Sequence, residues 1–198
     1  HSVEVWVYQG NIREQESVVS WGKRWGRPDL SLAGFRYGTD SELGAIGRWG
    51  SYESGFEKVP PAGQWHQLTY TYDGKTQTVY VDGEADNSKP VGLLDSHDML
   101  PIHLGAEIRG DLTIEGLFTQ FSGALGRVRI HSGCLSAEQV RRNFETEKIA
   151  YPGLSAIALK QAPVHRFSFD ADSGAAPDGT LIPDRIGGLM AVVRGAHA

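Results

Sequence analysis

The chain has few of the residues that several protein classes require. Cys134 is the only cysteine among 198 residues, so no disulfide can form within the chain. No apolar run approaches the about 20 residues that cross a bilayer. Six lysines and thirteen arginines form no polybasic run, and the formal net charge is −5. These absences argue against a disulfide scaffold, against membrane insertion and against a nucleic-acid partner, which favours a basic face.

Two familiar patterns of catalytic and metal-binding residues are also missing. No Gly-x-Ser-x-Gly segment is present, so the sequence offers no nucleophile elbow for serine hydrolysis. No His-x-His, His-x-x-x-His or Glu-x-x-His pair provides the spacing of zinc ligands. We therefore expect His66, His103 and His131 to pack against sheet faces rather than to bind zinc.

Turn residues are abundant, with 25 glycines and nine prolines. This composition is typical of many short strands joined by tight turns. Strands are predicted over residues 2–8, 17–22, 30–37, 45–49, 67–72, 78–81, 101–105, 123–131 and 164–169. The pattern favours an all-β sandwich or jelly roll.

Residues 64–83 give the clearest local pattern, a β-hairpin. Apolar and polar side chains alternate through 67–72, which predicts a strand with one buried face. Asp73-Gly74 and Asp82-Gly83 are dipeptides that favour tight primed turns, because glycine accepts a positive φ. One short helix is predicted near 136–146, with Ser136 as its N-cap.

Two ordered motifs resemble one family. The Trp-His…Tyr-Asp-Gly…Tyr-Val-Asp-Gly string of residues 65–83 resembles the hairpin of laminin-G-like jelly rolls, of the concanavalin A-like lectin/glucanase fold. The Phe-Ser-Gly strand at 121–131, followed by a Leu-Ser-x-x-x-Val helix, resembles the C-terminal end of the same domain. The resemblance implies an all-β, two-sheet antiparallel jelly-roll sandwich, and Trp6 and Trp65 match its core positions.

The domain order implied by the resemblance is unusual. Residues 1–150 resemble a laminin-G-like jelly roll that lacks its opening strands, residues 151–163 form a linker, and residues 164–198 resemble such opening strands. Three alternatives fit this order. The chain could be a window cut from tandem repeats, a circular permutant that completes its own sandwich, or a donor of strands to a neighbouring chain.

The resemblance implies a non-catalytic extracellular recognition module within a larger multidomain protein, secreted or held in the cell envelope. Its expected partner is carbohydrate or an extracellular protein. One alternative is a structural module that links repeats or chains through its terminal strands. The other is a glycoside hydrolase-like enzyme, which needs two convergent carboxylates. The nearest pairs, Asp111 with Glu115 and Glu53 with Glu57, do not match the Glu-x-Asp-x-(x)-Glu motif of laminarinase-type relatives.

Aromatic residues are the candidate carbohydrate contacts, because sugar rings stack on aromatic faces while polar groups bind the hydroxyls. The predicted platform is Trp25 and Trp49, with Arg24, Arg48 and Tyr52; Trp21 and Tyr37 come from neighbouring strands. The alternative for these aromatic side chains is packing in the core.

Calcium is the one expected cofactor. The resemblance places Asp184 where the family has an aspartate, and Asp170 and Asp178 lie in the adjacent turn. Carboxylate oxygens suit Ca²⁺. The alternative is that aspartate and glycine form turns without a metal.

Overall fold

The computed structural model describes residues 1–22, 33–48, 52–92, 94, 102–107, 119–149, 163–167, 181–183 and 190–192. Its elements are β1 (Ser2–Tyr8), β2 (Ser17–Trp21), β3 (Ala33–Arg36), β4 (Ile46–Arg48), β5 (Trp65–Tyr72), β6 (Thr76–Val81), β7 (Glu84–Pro90), β8 (Ile102–Leu104), β9 (Ala124–His131), α1 (Ala137–Glu147), β10 (Pro163–Phe167), β11 (Leu181–Pro183) and β12 (Met190–Val192).

The strands form two larger sheets and a short hairpin. A six-stranded sheet has the order β10-β9-β1-β5-β6-β7, and a four-stranded sheet has the order β4-β3-β2-β8. β11 pairs only with β12 among the described strands. Every strand-to-strand pairing in these sheets is antiparallel. The all-β prediction, with one short helix, is confirmed.

The hydrophobic core lies between the two larger sheets. On β1 the alternate residues Val3, Val5 and Val7 are at most 2% exposed and contribute to this core. Val19 and Phe35 contribute from the four-stranded sheet, where they are paired in register. The period-two pattern thus places apolar side chains of both sheets in one layer.

The prediction that β5 has a single buried face is wrong. Gln67, Thr69 and Thr71 alternate with the core residues, yet they are at most 3% exposed. The reason is that α1 packs over this face: its Glu147 accepts a hydrogen bond from the Gln67 side chain, and its Phe144 stacks on Trp6 of β1. The six-stranded sheet is therefore covered on both sides in this region.

The predicted turns and helix cap are present. Asp82 and Gly83 have φ values of 51° and 85°, the pair of positive angles that a primed turn requires. At the start of α1, Ser136 Oγ accepts from the backbone N–H of Gln139, and Gln139 Oε1 accepts from the backbone N–H of Ser136. This reciprocal capping box explains why the helix begins at Ala137.

The C-terminal strand β10 pairs with β9 of the same chain, with Phe167 opposite Val128.

Trp6 is buried as expected, whereas Trp65 at the start of β5 is only half-buried and lies 5.6 Å from Tyr8, centroid to centroid. Among the described residues, no helix is both long enough and apolar enough to span a membrane.

Candidate functional site

A cleft of about 290 Å³ lies between the loop before β5 and the turn from β6 to β7. Its lining consists of Lys58, Val59, Pro60, Pro61, Gln64, His66, Val81, Asp82, Glu84, Ala85 and Asp86. The volume is near the lower end of the range for small-molecule sites. It is a small cleft in which apolar surface lies beside polar and charged groups.

The β5–β6 hairpin brings the two ends of this lining together. Its register places Leu68 opposite Val81. Asp82, the residue after β6, therefore lies beside the start of β5, which carries His66. The Asp82 carboxylate accepts from His66 Nδ1 at 2.7 Å and from the Gln67 backbone N–H at 2.9 Å. One carboxylate therefore fixes the start of β5 to the end of β6.

His66 links the hairpin to the proline loop. Its Nε2 lies 3.0 Å from the carbonyl oxygen of Pro61 and 3.2 Å from the side-chain amide nitrogen of Gln64. The Pro61 carbonyl accepts from an Nε2–H, as in an imidazolium, whereas the Gln64 N–H can donate only to the unprotonated Nε2 of a neutral ring. Burial by itself would lower the pKa of His66, but the hydrogen bond and charge of Asp82, with the Pro61 carbonyl, raise it above 6.5.

The proline loop is held from the core side as well. The Tyr37 hydroxyl lies 3.0 Å from the Pro60 carbonyl oxygen and 3.1 Å from that of Pro61, and can donate to either. Burial, followed by the charge of Asp82, raises the pKa of Tyr37 to about 12, so the hydroxyl stays a donor. Two buried side chains, Tyr37 and His66, thus anchor the loop.

Asp86 fixes the opposite wall of the cleft. Its two carboxylate oxygens accept from the backbone N–H groups of Glu57 at 2.8 Å and Lys58 at 3.0 Å. Further along β7, Asn87 donates to the Gly55 carbonyl and Lys89 donates to the Glu53 carbonyl. Segment 53–58 is therefore attached to β7 by side chains rather than by a strand ladder.

The apolar part of the cleft comes from valine, proline and alanine. Val59 and Val81 pack against the main core with their other faces, so their positions are set by that packing. Beside them, carboxylates and the Gln64 amide provide hydrogen-bonding groups. Such a surface can bind a ligand that has both C–H faces and hydroxyl groups.

Most of the predicted site residues lie outside the described residues. These are Trp25, Trp49, Arg24, Asp170, Asp178 and Asp184, and only the backbone of Arg48, the last residue of β4, is described. Tyr52 is half-buried against the core, and its carbonyl oxygen accepts from Gln77 Nε2 at 2.6 Å.

Two of the aromatic residues grouped with that platform belong to the core instead. Tyr37 is fully buried, and Trp21 packs against the core with its ring 6.1 Å from Tyr70, centroid to centroid. No cluster of three or more histidine, cysteine, aspartate and glutamate side chains is placed to hold a metal within the described ranges. Calcium at the three aspartates stays a prediction.

The cleft was not predicted from the sequence, although its central pair, His66 and Asp82, lies within the hairpin motif. The register of the hairpin could have predicted this pair, because a tight turn at Asp73-Gly74 aligns His66 with the region of Asp82. The partners from residues 58–61 have no such signal, since a loop position follows from tertiary contacts.

The model of the concanavalin A-like lectin/glucanases superfamily matches residues 1–141. A comparison with curated proteins found no match. Among solved structures, a candidate carbohydrate-binding protein from Bacteroides ovatus is similar over 96% of this chain and 50% of its own, with a TM-score of 0.64 and 16% identity.

Two further solved structures share the fold. Domain 4 of AbnA, a GH43 extracellular arabinanase from Geobacillus stearothermophilus in complex with arabinotriose, matches over 71% of this chain and 64% of its own (TM-score 0.53, 22% identity). A sialidase from Trypanosoma rangeli matches over 75% of this chain and 23% of its own (TM-score 0.53, 14% identity). The chain thus spans half of the Bacteroides protein and less than two thirds of the arabinanase domain.

Proposed function

The chain belongs to the concanavalin A-like lectin/glucanases superfamily, and we propose that it is a non-catalytic carbohydrate-binding module. The Bacteroides ovatus protein and the arabinotriose complex support this choice of ligand class. The proposal includes an extracellular or cell-envelope setting, in keeping with the extracellular arabinanase whose domain shares the fold.

The cleft is the observation that carries the proposal. Sugars present apolar C–H faces and hydroxyl groups on one small ring, and the cleft offers valine and proline surface beside Asp82, Asp86 and Gln64. The carboxylates already accept backbone or histidine hydrogen bonds, which hold them in place. Further lone pairs can accept hydrogen bonds from sugar hydroxyls, because an ionised carboxylate has about four acceptor sites.

Binding rather than catalysis fits the residues of this cleft. His66 and Asp82 form a pair, but the other His66 nitrogen contacts the Pro61 carbonyl, and the lining contains no serine, threonine or cysteine. Glu53 and Glu57 lie on the segment beside β7, and Glu57 is exposed. Asp111 and Glu115 lie outside the described residues.

A glycan array probed with the 198-residue chain tests the proposal, first with calcium and then with EDTA. Ala85→Trp fills the cleft from an exposed position, and Ala137→Trp places the same bulk on the exposed start of α1 as the matched control. Trp25→Ala and Trp49→Ala test the aromatic platform. We expect glycan binding that Ala85→Trp removes and Ala137→Trp leaves unchanged.

Three other outcomes of the glycan array would change the assigned site, the assigned cofactor or the proposed function. Binding that is lost in Trp25→Ala or Trp49→Ala but kept in Ala85→Trp would place the site on the predicted platform instead of the cleft. Binding lost in EDTA would support calcium at Asp170, Asp178 and Asp184. No binding to any glycan by the folded chain would contradict the carbohydrate proposal.

A further inference from the structure

Charge sets the cleft apart from a generic sugar site. Three carboxylates line it, those of Asp82, Glu84 and Asp86, whereas its cationic groups are Lys58 and His66. Asp82, Glu84 and Asp86 are spaced two residues apart along the turn and the start of β7, and all three reach the same cleft. The carboxylates outnumber the cations even with His66 charged.

The acidic and basic side chains of the cleft also differ in how far they are exposed to a ligand. The His66 side chain is only 4% exposed and its ring contacts Asp82 and the Pro61 carbonyl. The Asp82 side chain is 33% exposed, and that of Glu84 is 68% exposed, 3.2 Å from Arg141 on α1. A ligand therefore meets the oxygens of three carboxylates and one exposed ammonium group, that of Lys58, while the His66 ring lies beneath Asp82 and supports its carboxylate.

These groups discriminate by charge. Ionised carboxylates accept hydrogen bonds and donate none, so they favour hydroxyl and ammonium donors and repel carboxylate or sulfate groups. A protonated amine offers three N–H donors to a site with three carboxylates, and such charge-assisted bonds are stronger than those of a hydroxyl. N-acetylation would remove both the charge and two of the donors.

We propose that the cleft prefers saccharides with a free amino group, and that it disfavours their N-acetylated and acidic counterparts. This inference rests on the proposed carbohydrate-binding function and names its ligand class. It concerns the cleft between the proline loop and β7, which is separate in sequence from the Trp25 and Trp49 platform.

Calorimetric titration with four tetrasaccharides, three of which share the β-1,4-linked gluco-configured backbone, tests the preference. The probes are β-1,4-linked glucosamine, its N-acetylated form, neutral cellotetraose and acidic tetragalacturonate, each used at a pH where the glucosamine amine is protonated. We expect glucosamine to bind tightest and galacturonate weakest. The preference should also shrink as salt rises, because exposed charges are screened.

Paired variants locate the effect. Glu84→Gln keeps the shape of the side chain and removes its charge, and we expect it to weaken glucosamine binding about two- to fivefold. Adding Asp86→Asn should weaken it further, with a melting curve to show that the loop stays folded. Glu42→Gln removes the same charge from the exposed turn between β3 and β4 and should change nothing.

The outcomes separate this inference from the proposed function. Equal affinity for the amine and N-acetyl forms, tighter binding of galacturonate, or equal effects of Glu84→Gln and Glu42→Gln would overturn the amine preference while carbohydrate binding stands. Failure of all four sugars, together with an empty glycan array, would overturn both.

Discussion

His66 and Asp82 make the structure of the cleft depend on protonation. The His66 ring, when protonated, joins a carboxylate of the β6–β7 turn to a carbonyl of the proline loop. Its pKa is raised above 6.5 in the folded chain. This stabilisation is therefore fully present below pH 6.5 and is lost as the pH rises through the folded-state pKa of His66.

Asp82→Asn removes the charge that opposes the effect of burial on His66. Because burial then dominates, we expect the pKa of His66 to fall, and NMR titration of its ring protons measures this. Asp73→Asn is the matched control. Asp73 occupies the other hairpin turn, where its carboxylate accepts from the backbone N–H groups of Lys75 and Thr76. An unchanged His66 pKa in Asp82→Asn would contradict the assigned cause.

The buried ion pair of Arg36 and Glu107 constrains a glycine. Arg36 Nε lies 2.7 Å from Glu107 Oε1, and both side chains are at most 2% exposed. A Cβ at Gly47, on the neighbouring strand β4, would overlap the Arg36 guanidinium. Glycine is therefore required here by space.

Gly47→Ala should displace Arg36 and lower the free energy of unfolding by roughly 2–4 kcal/mol, since it combines overpacking with disruption of a buried ion pair. Gly10→Ala is the control, because a Cβ at Gly10 would meet nothing within 4 Å. Urea unfolding of both variants gives the comparison. Equal stability of the two would show that Arg36 can move at little cost.

Among the elements, α1 is attached to the sheet through charge as well as through apolar contact. Glu147 in its last turn accepts hydrogen bonds from Trp6 Nε1 at 2.6 Å, from Gln67, and from Arg127 and Arg129. Asn143, one turn earlier, donates to Glu4 of β1 at 2.9 Å. A polar layer thus lies beneath the helix.

Glu147→Ala would leave the buried Arg129 guanidinium with one carboxylate partner fewer and remove the acceptor of Trp6 Nε1. We expect a loss of roughly 3–5 kcal/mol in the free energy of unfolding, the range for a broken buried pair. Glu145→Ala is the matched control, since that side chain is 49% exposed and pairs with Lys148 at the surface. Urea unfolding followed by circular dichroism measures both. A loss as small as that of Glu145→Ala would mean that the polar layer re-pairs.

Some of the strands and the helix could be predicted from sequence patterns, whereas other strands could not, and the difference has a physical cause. The β5–β6 hairpin and α1 were predictable, because alternation, tight-turn dipeptides and a capping box are local signals. β7 was missed, since Glu84–Pro90 carries only Ala85 as an aliphatic residue apart from its terminal proline. Its polar side chains bind segment 53–58 instead, a role that sequence periodicity does not encode. The same tertiary contacts form the cleft.

At the scale of the whole molecule, stability in acid depends on the polar layer under α1. Burial would raise the pKa of Glu4, but Arg129, His131 and Asn143 together lower it from 4.5 to about 2. A lowered folded pKa gives stability that is present above pH 4.5 and is lost as the pH falls towards 2. The loss from Glu4 is roughly 3 kcal/mol at about 1.4 kcal/mol per pKa unit.

Unfolding free energies measured between pH 6 and pH 2 check this expectation. Glu4→Gln should be less stable at pH 6 and should show a shallower decline in acid than the parent chain. Glu138→Gln is the matched control, because Glu138 is an exposed carboxylate on α1. Parallel acid profiles for the parent and Glu4→Gln would assign the acid sensitivity to other carboxylates.

Two of the three alternatives for the C-terminal strands, completion of their own sandwich and donation to a neighbouring chain, make opposite predictions about assembly. In the structure β10 adds to the outer edge of β9, so its removal would leave an unpaired strand edge. If residues 164–198 complete their own sandwich, the full chain stays monomeric at all concentrations, and deletion of 164–198 produces self-association. If they are donated to a neighbour, the full chain forms concentration-dependent oligomers and the deletion abolishes them. Sedimentation velocity distinguishes these results, with deletion of only 193–198 as the control. We expect the first, because β10 already pairs within its own chain; oligomers of the full chain would contradict it.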